Sequence, residues 1–469
     1  MPEGHQPGTN GEWDETVGDS IDVVEPATEQ VITTIPVAGL EETDRAVARA
    51  KEAFVTWRNV TAGDRATVLR RIGSAVEETA VSLARLESRN VGKPISDALG
   101  EIGMVAATFA YYAGSPERLT GKTIPVPGGV NMTFKEPMGV VGLITPWNFP
   151  LAIASWGVAP ALAAGNTVVL KPAQLTPLTA IELERIALEA GLPEGVFQVL
   201  AGPGSTVGER LVDHPDVAKI GFTGSTGVGK RISARASGTI KRVTLELGGK
   251  SANVVFADAD LEQAAAAAPG AVFGNAGQDC CARSRILVER TAMDRFLELL
   301  SSNVAAMRVG DPMDESTEMG PLITAEHRAK VASFLDDETT VVARGSAPDG
   351  PGFWFAPTVV TPDSPDARAV TDEIFGPIAC VMPFEDEDEA ISIANDTIYG
   401  LSGSIWTENG SKALRVARAL EAGTLSVNSN WSVRIATPYG GFKQSGIGRA
   451  LGPDALDYYT ELKNVYIAT

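Results

Sequence analysis

The sequence predicts an α/β fold with two main units. From residue 139 onward, short apolar runs rich in β-branched residues alternate with segments of helical periodicity, which is typical of parallel βαβ units. The chain has 469 residues, which is longer than a chain built around a single hydrophobic core usually is. Its 48 glycines and 29 prolines fit a loop-rich globular protein. We therefore expect ligand sites where the parallel strands end.

The elements of the first unit follow a helical region. Residues 1–20 are polar and are expected to be poorly ordered, whereas residues 41–113 carry apolar side chains at helical spacing. The alternating part then begins with a strand. Its strands are predicted at 139–144, 167–170, 197–200, 217–222, 242–245 and 253–256, with a helix at 179–190.

The next helix leads towards a second α/β unit at about 287–440. Asp258 and Asp260 precede an alanine-rich run and are typical residues at a helix start. Pro269 is expected to end or kink this helix, because proline has no N–H to donate.

Composition excludes several classes of function. The chain has 39 basic and 59 acidic residues, and the net charge of −20 disfavours binding to nucleic acids. Residues 137–170 contain no charged side chain, but Pro146, Pro150 and Pro160 interrupt any helix of membrane length. We expect a strand, a turn, a buried helix and a strand there. Three cysteines and an N-terminus without a secretory pattern indicate a cytoplasmic protein.

The most informative segment is 273–282, which contains Cys280. Cys280 follows Glu246 by 34 residues, and Glu246 opens the motif Glu-Leu-Gly-Gly-Lys. A cysteine nucleophile needs a thiolate, a base and donors for an oxyanion, and Cys280, Glu246 and Asn148 can supply these. Together these motifs resemble the NAD(P)-dependent, non-acylating aldehyde dehydrogenase superfamily. The resemblance runs from about residue 20 to the C-terminus.

The resemblance implies three parts and an oligomer. A Rossmann-like parallel-sheet cofactor domain and an α/β catalytic domain are joined by a small β oligomerisation arm, so we expect a homodimer or homotetramer. The cofactor domain takes residues 1–117 and 139–248, the catalytic domain residues 249–455, and the arm residues 118–138 and 456–469.

Two glycine-rich turns suggest a phosphate site, although an ordinary turn between strand and helix explains each equally well. They lie at 202–205 and 224–230, and neither matches Gly-x-Gly-x-x-Gly. The second matches the Gly-x-x-x-x-Gly-Lys pattern of nucleotide triphosphatases. Arg231, however, stands where that loop needs Ser or Thr to hold magnesium, which disfavours a nucleotide triphosphatase.

The resemblance implies NAD as the cofactor, with NADP as an alternative, and no metal. Lys171 resembles the lysine that bonds the adenosine ribose, Ser225 resembles the pyrophosphate ligand, and Glu373 and Phe375 resemble the pair that holds the nicotinamide riboside. Gln174 replaces a glutamate of many NAD-preferring relatives, and an amide does not repel a 2′-phosphate. The other implied cofactor residues are Ile144, Thr145, Pro146, Trp147, Gly204, Phe222, Thr223, Gly224, Leu247 and Gly248.

The implied reaction oxidises an aldehyde to a carboxylic acid. Cys280 attacks the aldehyde, and its own N–H and the Asn148 amide stabilise the oxyanion of the thiohemiacetal. Hydride transfer to the nicotinamide leaves a thioester, which water activated by Glu246 hydrolyses. Partial burial is expected to raise the pKa of Glu246 for this task. The acylating branch of the superfamily generally lacks the glutamate that Glu246 matches.

Two other hypotheses are disfavoured. The histidines are His5, His214 and His327, and none lies in a catalytic-looking segment, which argues against a Cys-His hydrolase. A non-catalytic relative is a further alternative, but the three candidate catalytic residues are all present. Cys281 and Cys380 are expected to be packing residues.

The substrate pocket implied by the resemblance is apolar and partly aromatic, with one carboxylate. Asp279 resembles a residue of some aminobutyraldehyde and betaine aldehyde dehydrogenases, and with Trp156 and Trp431 it can hold an ammonium group. An ω-aminoaldehyde is the leading substrate, and a general aliphatic or aromatic aldehyde or a semialdehyde is the alternative. Equally, Asp279 can face away and bond to the backbone, Arg283 or Arg285. The implied pocket residues are Phe149, Ile153, Trp156, Asp279, Cys281, Trp431 and Val433.

Overall fold

The computed structural model describes residues 20–469 and contains four β-sheets in that range. The expectation of poor order for residues 1–20 lies outside the described part of the chain except at Ser20, which begins a strand. The first-half elements are β1 (Ser20–Glu25), β2 (Gln30–Pro36), α1 (Leu40–Trp57), α2 (Ala62–Glu78), α3 (Ala80–Val91), α4 (Ile95–Ala113), β3 (Thr123–Val126), β4 (Gly129–Pro137), β5 (Val140–Ile144), α5 (Pro150–Ala163), β6 (Thr167–Lys171), α6 (Leu178–Glu189), β7 (Phe197–Val199), α7 (Glu209–Asp213), β8 (Val217–Thr223), α8 (Thr226–Ala236) and β9 (Arg242–Glu246).

The second half continues the alternation of helices and strands. Its elements are β10 (Ala252–Val255), α9 (Leu261–Phe273), β11 (Arg285–Glu289), α10 (Met293–Ala306), α11 (Ala325–Ala332), β12 (Thr339–Arg344), β13 (Thr358–Pro362), α12 (Arg368–Thr371), β14 (Ile378–Phe384), α13 (Glu387–Asn395), β15 (Ser402–Trp406), α14 (Gly410–Ala419), β16 (Thr424–Val427), β17 (Gly446–Ile447) and β18 (Thr460–Ala468).

The first large sheet has six strands in the order β17-β9-β8-β5-β6-β7. All neighbours are parallel except β17, which is antiparallel to β9. Strand β6 is buried along its whole length because helices cover both faces of the sheet. Val168 and Leu170 belong to the cluster that contains α5, whereas Val169 belongs to the cluster that contains α1. This two-sided burial explains the continuous apolar strand sequences.

The second large sheet has seven strands in the order β12-β13-β14-β11-β10-β15-β16. Only β12 and β13 pair in antiparallel fashion, and the other neighbours are parallel. Its buried cluster joins β10, β11 and β14 to α9 and α10. The predicted α/β class with two parallel sheets is confirmed.

A three-stranded sheet and the pairing of β17 with β9 bring distant parts of the chain together. Strand β18 pairs with β4 from 460–468 to 129–137, and β3 pairs with the other edge of β4. The division into three domains stays a prediction. Strand β17 returns from the second half to the first sheet, where Gly446 lies opposite Glu246. The chain around β17 therefore lies beside the end of β9.

Pro269 was predicted to end or kink its helix; the predicted end is wrong, and the kink stays a prediction. Helix α9 passes through Pro269 and continues to Phe273, and Asp260 caps its start by accepting a hydrogen bond from the Gln263 N–H at 2.9 Å. Proline has a helical φ and loses only one backbone hydrogen bond. Val272 and Phe273 after it are buried in the core, and this burial favours continuing the helix.

The uncharged segment at 137–170 has the predicted order. It consists of the end of β4, then β5, the turn at 145–149, α5 and most of β6. Pro160 lies inside α5, which spans only Pro150–Ala163. Within the described part of the chain, none of the helices has the length and apolar character that a membrane crossing requires.

Candidate active site

The segment before Cys280 is a tight turn with an unusual backbone. Asn275, Ala276 and Gly277 have positive φ angles of 51°, 55° and 70°. Asparagine and glycine tolerate this region, and Gly277 is also required by space, because a Cβ there would lie 2.3 Å from the carbonyl oxygen of Gly376. The turn ends α9 and brings Cys280 towards the loop that follows β9.

Buried amide side chains hold this turn in place. Asn148 donates its Nδ2–H to the carbonyl oxygen of Gln278 at 2.8 Å, and Asn275 donates to the carbonyl oxygen of Asn148 at 3.0 Å. The Gln278 side chain donates to the Asn275 carbonyl at 3.1 Å and accepts the Ile323 N–H at 2.8 Å. Asn148 is therefore joined directly to the cysteine turn.

The two adjacent cysteines lie against a tyrosine. The Tyr439 hydroxyl is 2.9 Å from Sγ of Cys281 and 3.5 Å from Sγ of Cys280. The Cys281 sulfur and burial raise the pKa of the Cys280 thiol well above its usual value, and the Tyr439 hydroxyl acts in the opposite direction. Asp279 accepts the Cys281 N–H at 2.8 Å, and its carboxylate and the two sulfurs lie within 4.8 Å of one another.

Glu246 is the last residue of β9. Its Oε2 is buried and has no hydrogen-bond partner among the described residues. Burial raises the pKa of Glu246 well above its usual value, the charge of Arg449 lowers it, and Cys281 raises it further. Gly440 approaches so closely that a Cβ there would lie 2.8 Å from Oε1. A carboxyl with a raised pKa thus lies near the cysteine pair.

A cavity lies beside Glu246 and joins residues from both predicted sets. Two further polar atoms at its wall, Thr145 Oγ1 and Trp156 Nε1, are buried without a partner in the described chain. Such a wall can bind water or a polar ligand. Its walls include Ile144, Thr145, Phe222 and Thr223 from the cofactor set, Ile153 and Trp156 from the substrate set, and also Thr244 and Arg449.

The loop after Glu246 packs closely against Glu373. Glu373 accepts the Gly249 N–H at 3.0 Å, and a Cβ on Gly248 would lie 2.4 Å from its Oε2. A Cβ on Gly249 would lie 2.3 Å from the Cys280 carbonyl oxygen. Both glycines are therefore needed for close approach, and they bring Glu246, Cys280 and Glu373 into one region.

An aromatic cluster lies next to this region. The Trp147 ring centroid is 5.3 Å from that of Phe375 and 5.5 Å from that of His327, both in edge-to-face geometry. His327 lies 2.7 Å from the Phe375 carbonyl oxygen, and burial lowers its pKa. His327 therefore contacts the segment of Phe375 through its ring nitrogen.

Residues of the cofactor set form features that suit a dinucleotide. Lys171 is buried and donates to the Pro172 carbonyl at 2.6 Å, and burial lowers its pKa to about 8. Ser225 is the N-cap of α8, its side chain makes no capping hydrogen bond, and the Gly224 N–H donates to the Glu246 carbonyl at 3.0 Å. A buried cation and an open helix N-terminus suit a ribose and a pyrophosphate. Gln174 is half-buried.

The outer cofactor and substrate residues differ in exposure. Gly204 is exposed at the start of the short π-helical segment Gly204–Gly208, and Trp431 has 73% of its surface exposed. The Lys93 ammonium lies over the Phe149 ring, 4.3 Å from its centroid. Val433, by contrast, packs with Trp156 and the two cysteines around Tyr439 and Leu451.

The two arginines proposed as partners of Asp279 bond elsewhere. Arg283 donates to Ser432, Ser404 and the Cys281 carbonyl, and Arg285 donates to the carbonyls of Lys250, Ile393 and Ala394. The Arg alternative for Asp279 is therefore wrong, whereas its bond to the backbone N–H of Cys281 agrees with the backbone alternative.

Sequence reasoning missed several residues of this site. Tyr439 and Arg449 come from the segment around β17, more than 150 residues after the cysteine turn. Buried Lys219 donates to Thr244 at 3.0 Å, and burial lowers its pKa to about 7. The available signal was Tyr439-Gly440-Gly441, a glycine pair like Gly248-Gly249.

Comparison with known proteins identifies the family. The aldehyde dehydrogenase family model matches residues 13–465. The chain belongs to the aldehyde dehydrogenase family. The betaine aldehyde dehydrogenase of Bacillus subtilis (strain 168) is 41% identical over 97% of this chain and 96% of its own length. A solved betaine aldehyde dehydrogenase of Staphylococcus aureus, in complex with NAD⁺, superimposes with a TM-score of 0.96 at 38% identity, over 99% of this chain and 95% of that one.

Some aldehyde dehydrogenase relatives are longer proteins. The cytosolic 10-formyltetrahydrofolate dehydrogenase of Xenopus tropicalis is 41% identical over 99% of this chain, which spans 53% of that relative. Family membership confirms the resemblance seen in the sequence. The protein is an NAD(P)-dependent aldehyde dehydrogenase.

Proposed function

We propose that this aldehyde dehydrogenase oxidises an aldehyde that carries a cationic amino group, through a covalent Cys280 intermediate. The observation that carries the proposal is the convergence of Cys280, Asn148 and Glu246 from three separate segments on one region. The substrate class is a finer inference than the family, and it is supported by Asp279 beside Cys280 and by the 41% identity to a betaine aldehyde dehydrogenase.

Cys280 acts as the nucleophile in this proposal. Its thiolate attacks the carbonyl carbon, the C=O π electrons move to oxygen, and a thiohemiacetal oxyanion forms. Asn148 uses one amide N–H for the Gln278 carbonyl, and a side-chain amide has two. The second N–H, together with the Cys280 backbone N–H, stabilises the oxyanion.

The cofactor is proposed to be NAD, with NADP as the alternative. When bound, it would accept the hydride that leaves the thiohemiacetal carbon. The fit rests on Lys171, Ser225 and the close approach of Gly248 to Glu373. The solved relative that carries NAD⁺ supports the choice of NAD. The remaining proposed cofactor contacts are Ile144, Thr145, Pro146, Trp147, Gln174, Gly204, Phe222, Thr223, Gly224, Leu247, Glu373 and Phe375.

Glu246 acts as the base for hydrolysis. It accepts a proton from a water molecule as the water oxygen attacks the thioester carbon, and the C–S bond then breaks to release the acid and the Cys280 thiolate. A raised pKa makes the ionised Glu246 a stronger base than an exposed carboxylate, and its unpartnered Oε2 is available for the water.

Asp279 is the proposed recognition residue for the ammonium group. Its carboxylate accepts one backbone N–H and keeps further lone pairs for a cation. Trp156 adds an aromatic surface that can attract the same charge. The alternative substrate is a neutral aliphatic or aromatic aldehyde, and it is favoured by the apolar side chains of Ile153 and Val433.

The test compares 4-aminobutanal, betaine aldehyde, hexanal and benzaldehyde, each with NAD and with NADP, in the parent enzyme and in Asp279→Asn. Asparagine keeps the size of the side chain and removes its charge. We expect kcat/KM for the two cationic aldehydes to fall by about tenfold to a hundredfold, as for loss of a charged contact, and the value for hexanal to change little. Equal losses for hexanal and 4-aminobutanal would contradict charge recognition.

We propose a homodimer or homotetramer in which the sheet of β3, β4 and β18 contributes to the contact, and a cytoplasmic location in keeping with three free cysteines. Sedimentation of the full chain measures the subunit number directly.

A further inference from the structure

Tyr439 is the residue near the nucleophile that the proposed reaction does not yet use. It is buried, and its backbone N–H and carbonyl each pair with Ala450 at 2.7 Å. Its ring meets that of Trp156 edge-to-face with centroids 5.2 Å apart. The position of the hydroxyl is therefore set by both backbone pairing and ring packing.

The hydroxyl contacts two sulfurs but can donate to only one at a time. Its oxygen is 2.9 Å from Sγ of Cys281 and 3.5 Å from Sγ of Cys280. A phenol has one O–H proton, and a sulfur that carries negative charge is a much better acceptor than a neutral thiol. The hydrogen bond should therefore pass to whichever sulfur is ionised.

The other groups around Cys280 do not favour its thiolate. Asp279 and Cys281 face it from its own loop, and both raise the pKa of the Cys280 thiol. Glu246 approaches Tyr439 from β9, and Arg449 acts on Glu246. Burial adds a further penalty on the charged sulfur. The Tyr439 hydroxyl acts against these groups and lowers the pKa of the Cys280 thiol.

We propose that Tyr439 positions and stabilises the Cys280 thiolate through its single hydroxyl proton, and that Cys281 competes for the same proton. The inference rests on the proposed role of Cys280 as nucleophile. In the resting enzyme the shorter contact is to Cys281. Ionisation of Cys280 draws the O–H to that sulfur, and acylation, which removes the charge, returns the O–H to Cys281.

This competition predicts opposite effects for two substitutions. Tyr439→Phe keeps the ring and removes the donor, so the pH midpoint for alkylation of Cys280 by iodoacetamide should rise by about one unit, with about tenfold slower alkylation at neutral pH. Cys281→Ala removes the competitor, so the midpoint should fall and alkylation should become faster.

The double variant makes the test specific. In the Tyr439→Phe background, Cys281→Ala should accelerate alkylation less than in the parent enzyme, because only the direct effect of Cys281 on the pKa of Cys280 remains and there is no hydroxyl to release. Fragment mass spectrometry separates alkylation at Cys280 from that at Cys281. The matched control is Tyr112→Phe, which removes another buried phenol, one that donates to the Gly452 carbonyl at 3.0 Å. In Tyr112→Phe the pH midpoint for alkylation of Cys280 should match that of the parent enzyme.

The outcomes separate this inference from the proposed function. If Cys280→Ala still oxidises aldehydes, the proposed nucleophile is wrong. If Cys280 is required but Tyr439→Phe leaves the midpoint in place, or if Cys281→Ala accelerates alkylation equally in both backgrounds, only the role of Tyr439 is overturned. Should Tyr439→Phe fail to fold, Cys281→Ala alone decides, since unchanged or slower alkylation contradicts competition.

Discussion

Cys280 and Glu246 both lie near Tyr439, but the structure holds them in different ways. The cysteine turn is fixed by a chain of buried hydrogen bonds through Asn148, Asn275 and Gln278. Glu246 has a buried oxygen without a partner in the described chain and a cavity beside it. The comparison indicates a fixed nucleophile and an adjustable base. This suits a site in which Cys280 must attack the substrate carbon, whereas Glu246 must bind a water molecule, accept its proton and later release that proton.

The largest expected effect on aldehyde oxidation comes from replacing Cys280, the fixed nucleophile. Cys280→Ala should reduce aldehyde oxidation by about four orders of magnitude, because no covalent intermediate can form. Reduced-nicotinamide absorbance measures it. Cys380→Ala is the matched control, since Cys380 is buried in the core of the second sheet and should leave turnover near that of the parent. Comparable losses in both variants would remove the special role of Cys280.

The next largest effect on turnover is expected from replacing Glu246, the adjustable base. Glu246→Gln should leave the first turnover intact and slow the steady state by about 10² to 10³-fold, because the thioester forms but its hydrolysis lacks a base. Stopped-flow measurement should show a burst of one reduced nicotinamide per site. Loss of the burst together with the steady state would mean that Glu246 acts before the thioester.

The same residue predicts the pH dependence. Only the ionised carboxylate accepts a proton, and burial raises the pKa of Glu246, so deacylation should increase with pH through that raised value and fall below it. In Glu246→Gln the acid side of this profile should disappear from the residual hydrolysis. A profile that keeps its acid side in the variant would assign it to another group.

The smallest effect on rate concerns the support of the nucleophile. Gln278→Ala removes the acceptor of the Ile323 N–H and the donor to Asn275, and it should lower the free energy of unfolding by about 3 kcal/mol. Turnover should fall by about tenfold through misplacement of Cys280. Gln263→Ala, on an exposed helix surface, is the control for denaturant unfolding and for kinetics. An unchanged rate would show that the turn does not depend on Gln278.

Local patterns predicted the fold class but not the continuation of α9 past Pro269. The strands β5 and β6 were recognisable because both faces are buried, so their sequences are continuously apolar. The predicted helix end at Pro269 was wrong, since the local loss of one hydrogen bond is outweighed by burial of Val272 and Phe273, which only the packed helix reveals.

The candidate site shows the same limit. Cys280 and Glu246 stand in motifs whose local sequence carries a signal, so they were predicted as catalytic residues. Tyr439 carries little signal of its own, and its contact with the cysteines depends on how the chain returns to β9 through β17. A contact across 158 residues cannot be read from spacing along the chain.

The sequence by itself determined the alternation of strands and helices, the family, and the residue types needed for a covalent aldehyde oxidation. These depend on local composition and on motifs of a few adjacent residues. Only the tertiary structure decided that Asp279 bonds to its own backbone, that Glu246 keeps an unpartnered oxygen beside a cavity, and that Tyr439 joins both thiols. Burial and hydrogen-bond partners arise where distant segments meet, and they set the acidity of each group.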